Sequence, residues 1–83
     1  MREVTIELNT IDKVKSFCNE AWKIDGDLDI VSGRHNVDGK SIMGILSLDL
    51  SRPLTLQIKE DDVDITSISP YFVSTIKNIV KEN

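Results

Sequence analysis

Residues 37–50, Val37-Asp38-Gly39-Lys40-Ser41-Ile42-Met43-Gly44-Ile45-Leu46-Ser47-Leu48-Asp49-Leu50, hold a turn, a helix start and a run of apolar side chains within fourteen positions. Asp38 and Gly39 turn the chain. Ser41 stands where a hydroxyl can accept from the unpaired N–H groups of a helix start. The apolar residues that follow are too closely spaced for strand alternation and too few for a long helix. The reading is one to two helical turns over roughly 41–48, laying Ile42, Met43, Ile45, Leu46 and Leu48 onto a core, before the chain leaves through Asp49 to Pro53.

The segments on either side are strands of one-sided pattern. Upstream, Val4, Ile6 and Leu8 alternate with Thr5 and Glu7 across residues 2–8. Asn9 and Thr10 offer two caps for a first helix, and Asp12 sits in its first turn, where the helix dipole favours a carboxylate. The apolar stripe of that helix is Ile11, Val14, Phe17, Cys18 and Ala21, with Trp22 at its lower edge and Lys13, Lys15, Ser16, Asn19 and Glu20 outside. Asp25 and Gly26 end it. Leu28 and Ile30 then face inward on a second strand, Ser32 and Gly33 bend the chain, and Arg34 to Val37 return as a short third strand. Downstream, Pro53 precedes a strand in which Leu54, Leu56 and Ile58 alternate with Thr55, Gln57 and Lys59. Ile65, Ile68, Phe72, Ile76 and Ile79 recur at helical spacing, and a helix starting near Ser67 or Ser69 accommodates Pro70 in its first turn. The order is β-α-β-β-α-β-α. One-faced antiparallel strands with all helices on one side make an α+β, open-faced two-layer sandwich.

With 83 residues, the chain has room for one domain and one modest core. It is 40% hydrophobic and 29% charged, a balance of neither a disordered nor a membrane chain. No apolar run approaches the ~20 residues that cross a bilayer, so no membrane partner is expected, and Glu3 and Glu7 interrupt any apolar leader, so the expected compartment is the cytoplasm. A lone cysteine, Cys18, suits reducing surroundings. The net charge of -4 argues against nucleic acid as a partner, because tracking phosphates takes clustered Lys and Arg. Lys13, Lys15 and Lys23 do gather on the first helix while Glu60, Asp61, Asp62 and Asp64 gather after the last strand. That separation better suits an acidic protein partner.

Three local patterns invite chemistry and fall short of it. Gly39-Lys40-Ser41 is no phosphate-binding loop, because the glycine needed five positions earlier is Arg34. On this reading Lys40 is solvated and Ser41 is a cap. Asp25, Asp27 and Asp29 alternate like the start of a calcium loop but lack its later ligands, and the acids at 60–64 read as a solvated turn, so no metal is expected. His35, the one histidine, has only Asn36 and Asp38 close by in sequence to orient it, and with a single distant cysteine it makes no zinc site.

The run from Asn36 to Leu48, with Lys40-Ser41-Ile42-Met43-Gly44 at its centre, resembles the stretch around the regulatory serine of HPr, the histidine-containing phosphocarrier of the bacterial sugar phosphotransferase system. The resemblance implies a single HPr-like domain over residues 1–83 and a four-stranded antiparallel sheet of order 1-4-2-3. The phosphocarrier motif of that family is a histidine just before the first helix, then an arginine two positions on and a proline after it. Aligned through Phe17 and Ala21, this chain has Thr10, Asp12 and Lys13 there. Threonine has no ring nitrogen to carry a phosphoryl group, and Asp12 repels the dianion an arginine would neutralise. The expected member is therefore neither an enzyme nor a histidine relay, and it needs no cofactor.

What the resemblance carries over is Ser41 as the residue modified by a serine kinase/phosphorylase in Gram-positive relatives, with Lys40 placed to pair with its phosphate. Ile42, Met43 and Leu46 match the patch that meets partner proteins, a transcriptional regulator among them. The implied role is carbon catabolite regulation. The alternatives are an unphosphorylated protein-binding domain on the same fold, or a true phosphocarrier using an atypical acceptor such as His35.

Overall fold

The computed structural model describes residues 1–73, which run β1 (Arg2–Ile6), α1 (Ile11–Ala21), β2 (Leu28–Ser32), β3 (His35–Asp38), α2 (Ile42–Leu46), β4 (Leu54–Ile58) and a 3₁₀ helix (Thr66–Tyr71). The four strands form one antiparallel sheet of order β1-β4-β2-β3, as the α+β sandwich reading requires. Alternation sets its two faces. Ile6, Ile30, Leu54, Leu56 and Ile58 are buried under the helices. On the open face, register places Glu3 and Asp29 on either side of Gln57. Gln57 Nε2 donates to Glu3 at 2.9 Å, and Lys59 pairs with Asp29 at 3.2 Å.

Each α-helix begins on a hydroxyl. Thr10 is extended and its Oγ1 accepts from Lys13 N at 3.1 Å; Ser41 is extended and its Oγ accepts from Gly44 N at 3.1 Å. α1 buries Val14, Phe17, Cys18 and Ala21 against the sheet. Ile11, expected on that stripe, is 57% exposed. Helical side chains lean toward the N-terminus, so an apolar residue in the first turn overhangs the end of the core. The helix stops at Ala21, short of Asp25 and Gly26. Bonds from Lys23 N to Glu20 O and from Ile24 N to Ala21 O tighten its last turn. Ile24 closes the lower edge of the core, the place expected of Trp22, which is instead 68% exposed.

α2 covers five residues, inside the expected 41–48, and turns only Ile45 fully inward, with Leu48 buried just after it. Ile42, Met43 and Leu46 lie on its outer side, 39%, 80% and 38% exposed. The expectation that all five apolar residues reach the core fails because so short a helix presents one narrow face to the sheet.

After β4 the expected helix start near Ser67 or Ser69 is occupied by the 3₁₀ turn. Ile68 fills the core from it, and the Tyr71 ring meets the Phe17 ring edge-on at 5.5 Å. Pro70 lies inside that turn, and Phe72 has returned to extended backbone. Phe72 then bridges Ile6 at the outer edge of β1, with Glu7 N bonded to Tyr71 O at 3.0 Å and Val73 N to Thr5 O at 2.8 Å. The part of the expected helix that holds Ile76 and Ile79 lies outside the described residues. No helix among those described is long and apolar enough to cross a membrane.

Candidate functional site

The segment from Asp38 to Leu46 is built by its own backbone. Gly39 N donates to Leu28 O at 2.8 Å and fastens the turn to β2, while Asp38 accepts twice, from Lys40 N at its carboxylate (2.9 Å) and from Ser41 N at its carbonyl (3.0 Å). This leaves Ser41 half-buried at the mouth of α2, its Oγ engaged with Gly44 N. At the other end Ser47 Oγ donates to Gly44 O at 2.6 Å. Ile42, Met43 and Leu46 therefore stand beside Ser41 on a short, doubly capped element. They form an apolar surface next to one hydroxyl.

Lys40 is not simply solvated. Its Nζ donates to Ile24 O at 2.7 Å and lies 5.8 Å from the centre of the Trp22 ring. A phosphate on Ser41 would compete with the Ile24 carbonyl for this ammonium. Sequence reasoning missed the contact between Lys40, Ile24 and Trp22, for which no local pattern is a signal.

At the other helix start, Thr10 caps α1, and Asp12 occupies its first turn. The cleft beside it is lined by Glu7, Lys13, Tyr71 and Phe72 among others. His35 is exposed on β3, paired with Ser32. The registers put His35 and Ile6 in one row at opposite sides of the sheet. Three strand spacings, about 14 Å, separate them. The sheet thus keeps the histidine apart from the strand that leads to Thr10.

The acidic residues hold turns. Glu60 Oε1 accepts from Asp27 N at 3.1 Å, and Asp64 Oδ1 accepts from Thr66 N at 2.9 Å and from the Thr66 hydroxyl at 2.6 Å. Those two bonds hold the Asp64 carboxyl below its ordinary range. Asp25, Glu60, Asp62 and Asp64 line a cleft of about 610 Å³ with Lys23. Among the described residues no three His, Cys, Asp or Glu side chains are gathered to hold a metal ion. Cys18 is buried in the core, where burial first and the Asp38 charge second push its thiol up.

Among solved structures, the chain is similar to that of HPr-C-His from Thermoanaerobacter tengcongensis, with a TM-score of 0.71 and 27% identity over 100% of this chain and 99% of that one. The fold is that of HPr. No model of a known protein family matches the sequence. No curated protein matches it either. On this fold Thr10 is the N-cap of α1 and Ser41 the N-cap of α2, so both residues are capping hydroxyls.

Proposed function

We propose that residues 1–83 act as a single HPr-like domain of the bacterial phosphotransferase system, regulating by protein binding, with Ser41 as a phosphorylation switch and no histidine relay. The observation that carries this reading is the exposure of Ile42, Met43 and Leu46 directly after Ser41. A dianion added there changes the charge of an apolar surface that a partner must cover. The partners are a serine kinase/phosphorylase and a regulator that recognises the modified form. The transfer forms a bond between Ser41 Oγ and the γ-phosphorus of ATP and breaks the bond from that phosphorus to the β–γ bridging oxygen. ADP leaves, and the hydroxyl proton passes to a base on the kinase.

Thr10 supports the absence of a relay, since its hydroxyl is held by Lys13 N and it offers no ring nitrogen. The test is incubation with an HPr kinase/phosphorylase and ATP, location of phosphate by mass spectrometry, and comparison of partner capture by modified and unmodified protein. Phosphate at Ser41 and a changed affinity are expected. An unmodified Ser41 removes the switch. Phosphoenolpyruvate with the general phosphotransferase enzyme is expected to leave no acid-labile label; label that His35→Ala abolishes would establish the relay instead.

One observation favours a second reading. Ser41 is half-buried with its Oγ already bonded to Gly44 N, as befits a purely structural cap. The domain would then bind partners through the same apolar residues without modification.

A further inference from the structure

Lys40 joins two places that the sequence keeps sixteen residues apart. Its ammonium donates to Ile24 O at 2.7 Å, just past the end of α1, and stands 5.8 Å from the centre of the Trp22 ring. The last turn of α1 contains no basic residue of its own, and Lys23, which follows it, is paired with Glu20 at 3.3 Å. Lys40 thus brings a positive charge to the negative end of the helix dipole from another element. Its backbone belongs to the turn before α2, held there by the bond from Lys40 N to Asp38. One side chain therefore ties the mouth of α2 to the foot of α1.

We propose that Lys40 is a strap between the two helices that a phosphate on Ser41 unfastens, so that modification at α2 is felt at Trp22 and the end of α1. The proposal rests on the reading of Ser41 as a modified residue and names what that modification does inside the protein. A phosphoserine carries a charge of about -1.5 to -2 at neutral pH. It would sit on the residue next to Lys40, and between Arg34 and Arg52 the sequence has no other Lys or Arg. Asp38, on the same turn, adds negative charge and cannot balance the phosphate. The ammonium now bonds a neutral carbonyl, and a hydrogen bond between two ions is shorter and stronger than one with a neutral acceptor. The adjacent dianion draws Lys40 away from Ile24 and uncovers the indole face. The end of α1 then loses its borrowed charge, and the effect of the phosphate reaches a second region of the surface.

Trp22 is the only tryptophan, so its fluorescence reports the strap directly. The experiment uses the full chain with phosphoserine encoded genetically at position 41, which needs no kinase, beside Lys40→Met and Lys40→Arg. The readouts are the Trp22 emission maximum and the carbonyl carbon chemical shift of Ile24. Phosphoserine and Lys40→Met are expected to move both in the same direction, Lys40→Arg to move them less, and phosphoserine on the Lys40→Met background to add nothing. Lys40→Met without effect on either readout would remove the strap. Lys40→Met with an effect that phosphoserine does not reproduce would remove the switch. Failure of the kinase to modify Ser41 is a separate result, which tells against the regulatory reading and leaves both readouts as they are.

Discussion

Replacing Gly39 by alanine puts a methyl group where the turn before α2 touches β2. A Cβ there would lie 3.0 Å from Leu28 Cβ, 3.2 Å from Leu28 O and 3.3 Å from Leu28 C. Two of these three atoms are backbone, and Leu28 is held in the sheet by its pairing with Ile58. The same carbonyl accepts from Gly39 N at 2.8 Å, so the methyl cannot relieve its contact without stretching that bond. Among the described residues only Gly33 has a positive φ, so alanine at 39 meets no backbone strain and would gain about 0.4–1 kcal/mol from a stiffer unfolded chain. Overpacking against atoms that cannot move costs about 1–3 kcal/mol. The net loss is about 1–2 kcal/mol, which lowers the melting temperature of a domain this size by about 5–15 °C.

Gly44→Ala is the matched control. Its Cβ would lie 3.2 Å from Val37 Cβ and 3.3 Å from Ser41 Oγ, both side-chain atoms, one of them on a half-buried valine. Alanine also gains about 0.8–1 kcal/mol of helix propensity over glycine. This variant is expected to stay within about 0.5 kcal/mol of the parent, a propensity gain offsetting a mild clash. Thermal and urea unfolding followed by far-ultraviolet circular dichroism measures both. Gly39→Ala melting with the parent, or below it by less than Gly44→Ala does, would refute the argument that Leu28 backbone sets the size of residue 39.

Three further outcomes rest on other contacts. Ser41→Ala removes the acceptor for Gly44 N and should cost about 1 kcal/mol in urea unfolding, whereas Ser41→Asp keeps an acceptor and should cost a few tenths. Cys18 has a raised thiol pKa in the folded state, so its contribution to stability is present below the unfolded value of about 8.5 and is lost as pH rises through the folded one. A thiol reagent at pH 8 should accordingly label it only as fast as the protein opens, and immediate labelling would contradict its burial. Asp64 has a lowered pKa, so its contribution is present above the unfolded value of about 3.9 and is lost as pH falls through the folded one. Asp64→Asn should therefore lose less stability than the parent between pH 5 and pH 2, and a carboxyl carbon titration should place Asp64 below ordinary aspartates.

The strands and both helix starts were legible because their signals are local. Alternation in β4 sorts Leu54, Leu56 and Ile58 from Thr55 and Gln57 without knowledge of any partner, and a cap needs only the three residues after it. What stayed hidden depends on distance along the chain. Lys40 meets Ile24 across sixteen residues, and Phe72 leaves helical geometry to bridge Ile6 at the far end of the sequence. The spacing of Ile65, Ile68 and Phe72 fits an α-helix as well as the 3₁₀ turn observed. α2 failed differently: apolar residues lie on both its faces, so composition could not tell Ile45, which enters the core, from Met43, which does not.

The two capping hydroxyls have the same chemistry and nearly the same geometry, so their surroundings must decide which could act as a switch. Thr10 precedes an exposed Ile11 followed at once by the charged Asp12 and Lys13, where an added dianion would remain among hydrated ions. Ser41 precedes three exposed apolar residues in six positions, and a partner covering them would have to strip water from a phosphate at their edge. Desolvating an ion is expensive unless the partner supplies a matching charge, so the modification would repel one class of partner and recruit another that brings a cation. At Thr10 the same group would change less, because Ile11 alone, followed by the charged Asp12 and Lys13, offers a partner little apolar surface to cover. The leverage of a phosphate therefore lies in the apolar neighbours more than in the cap, and Ser41 is the hydroxyl that has them.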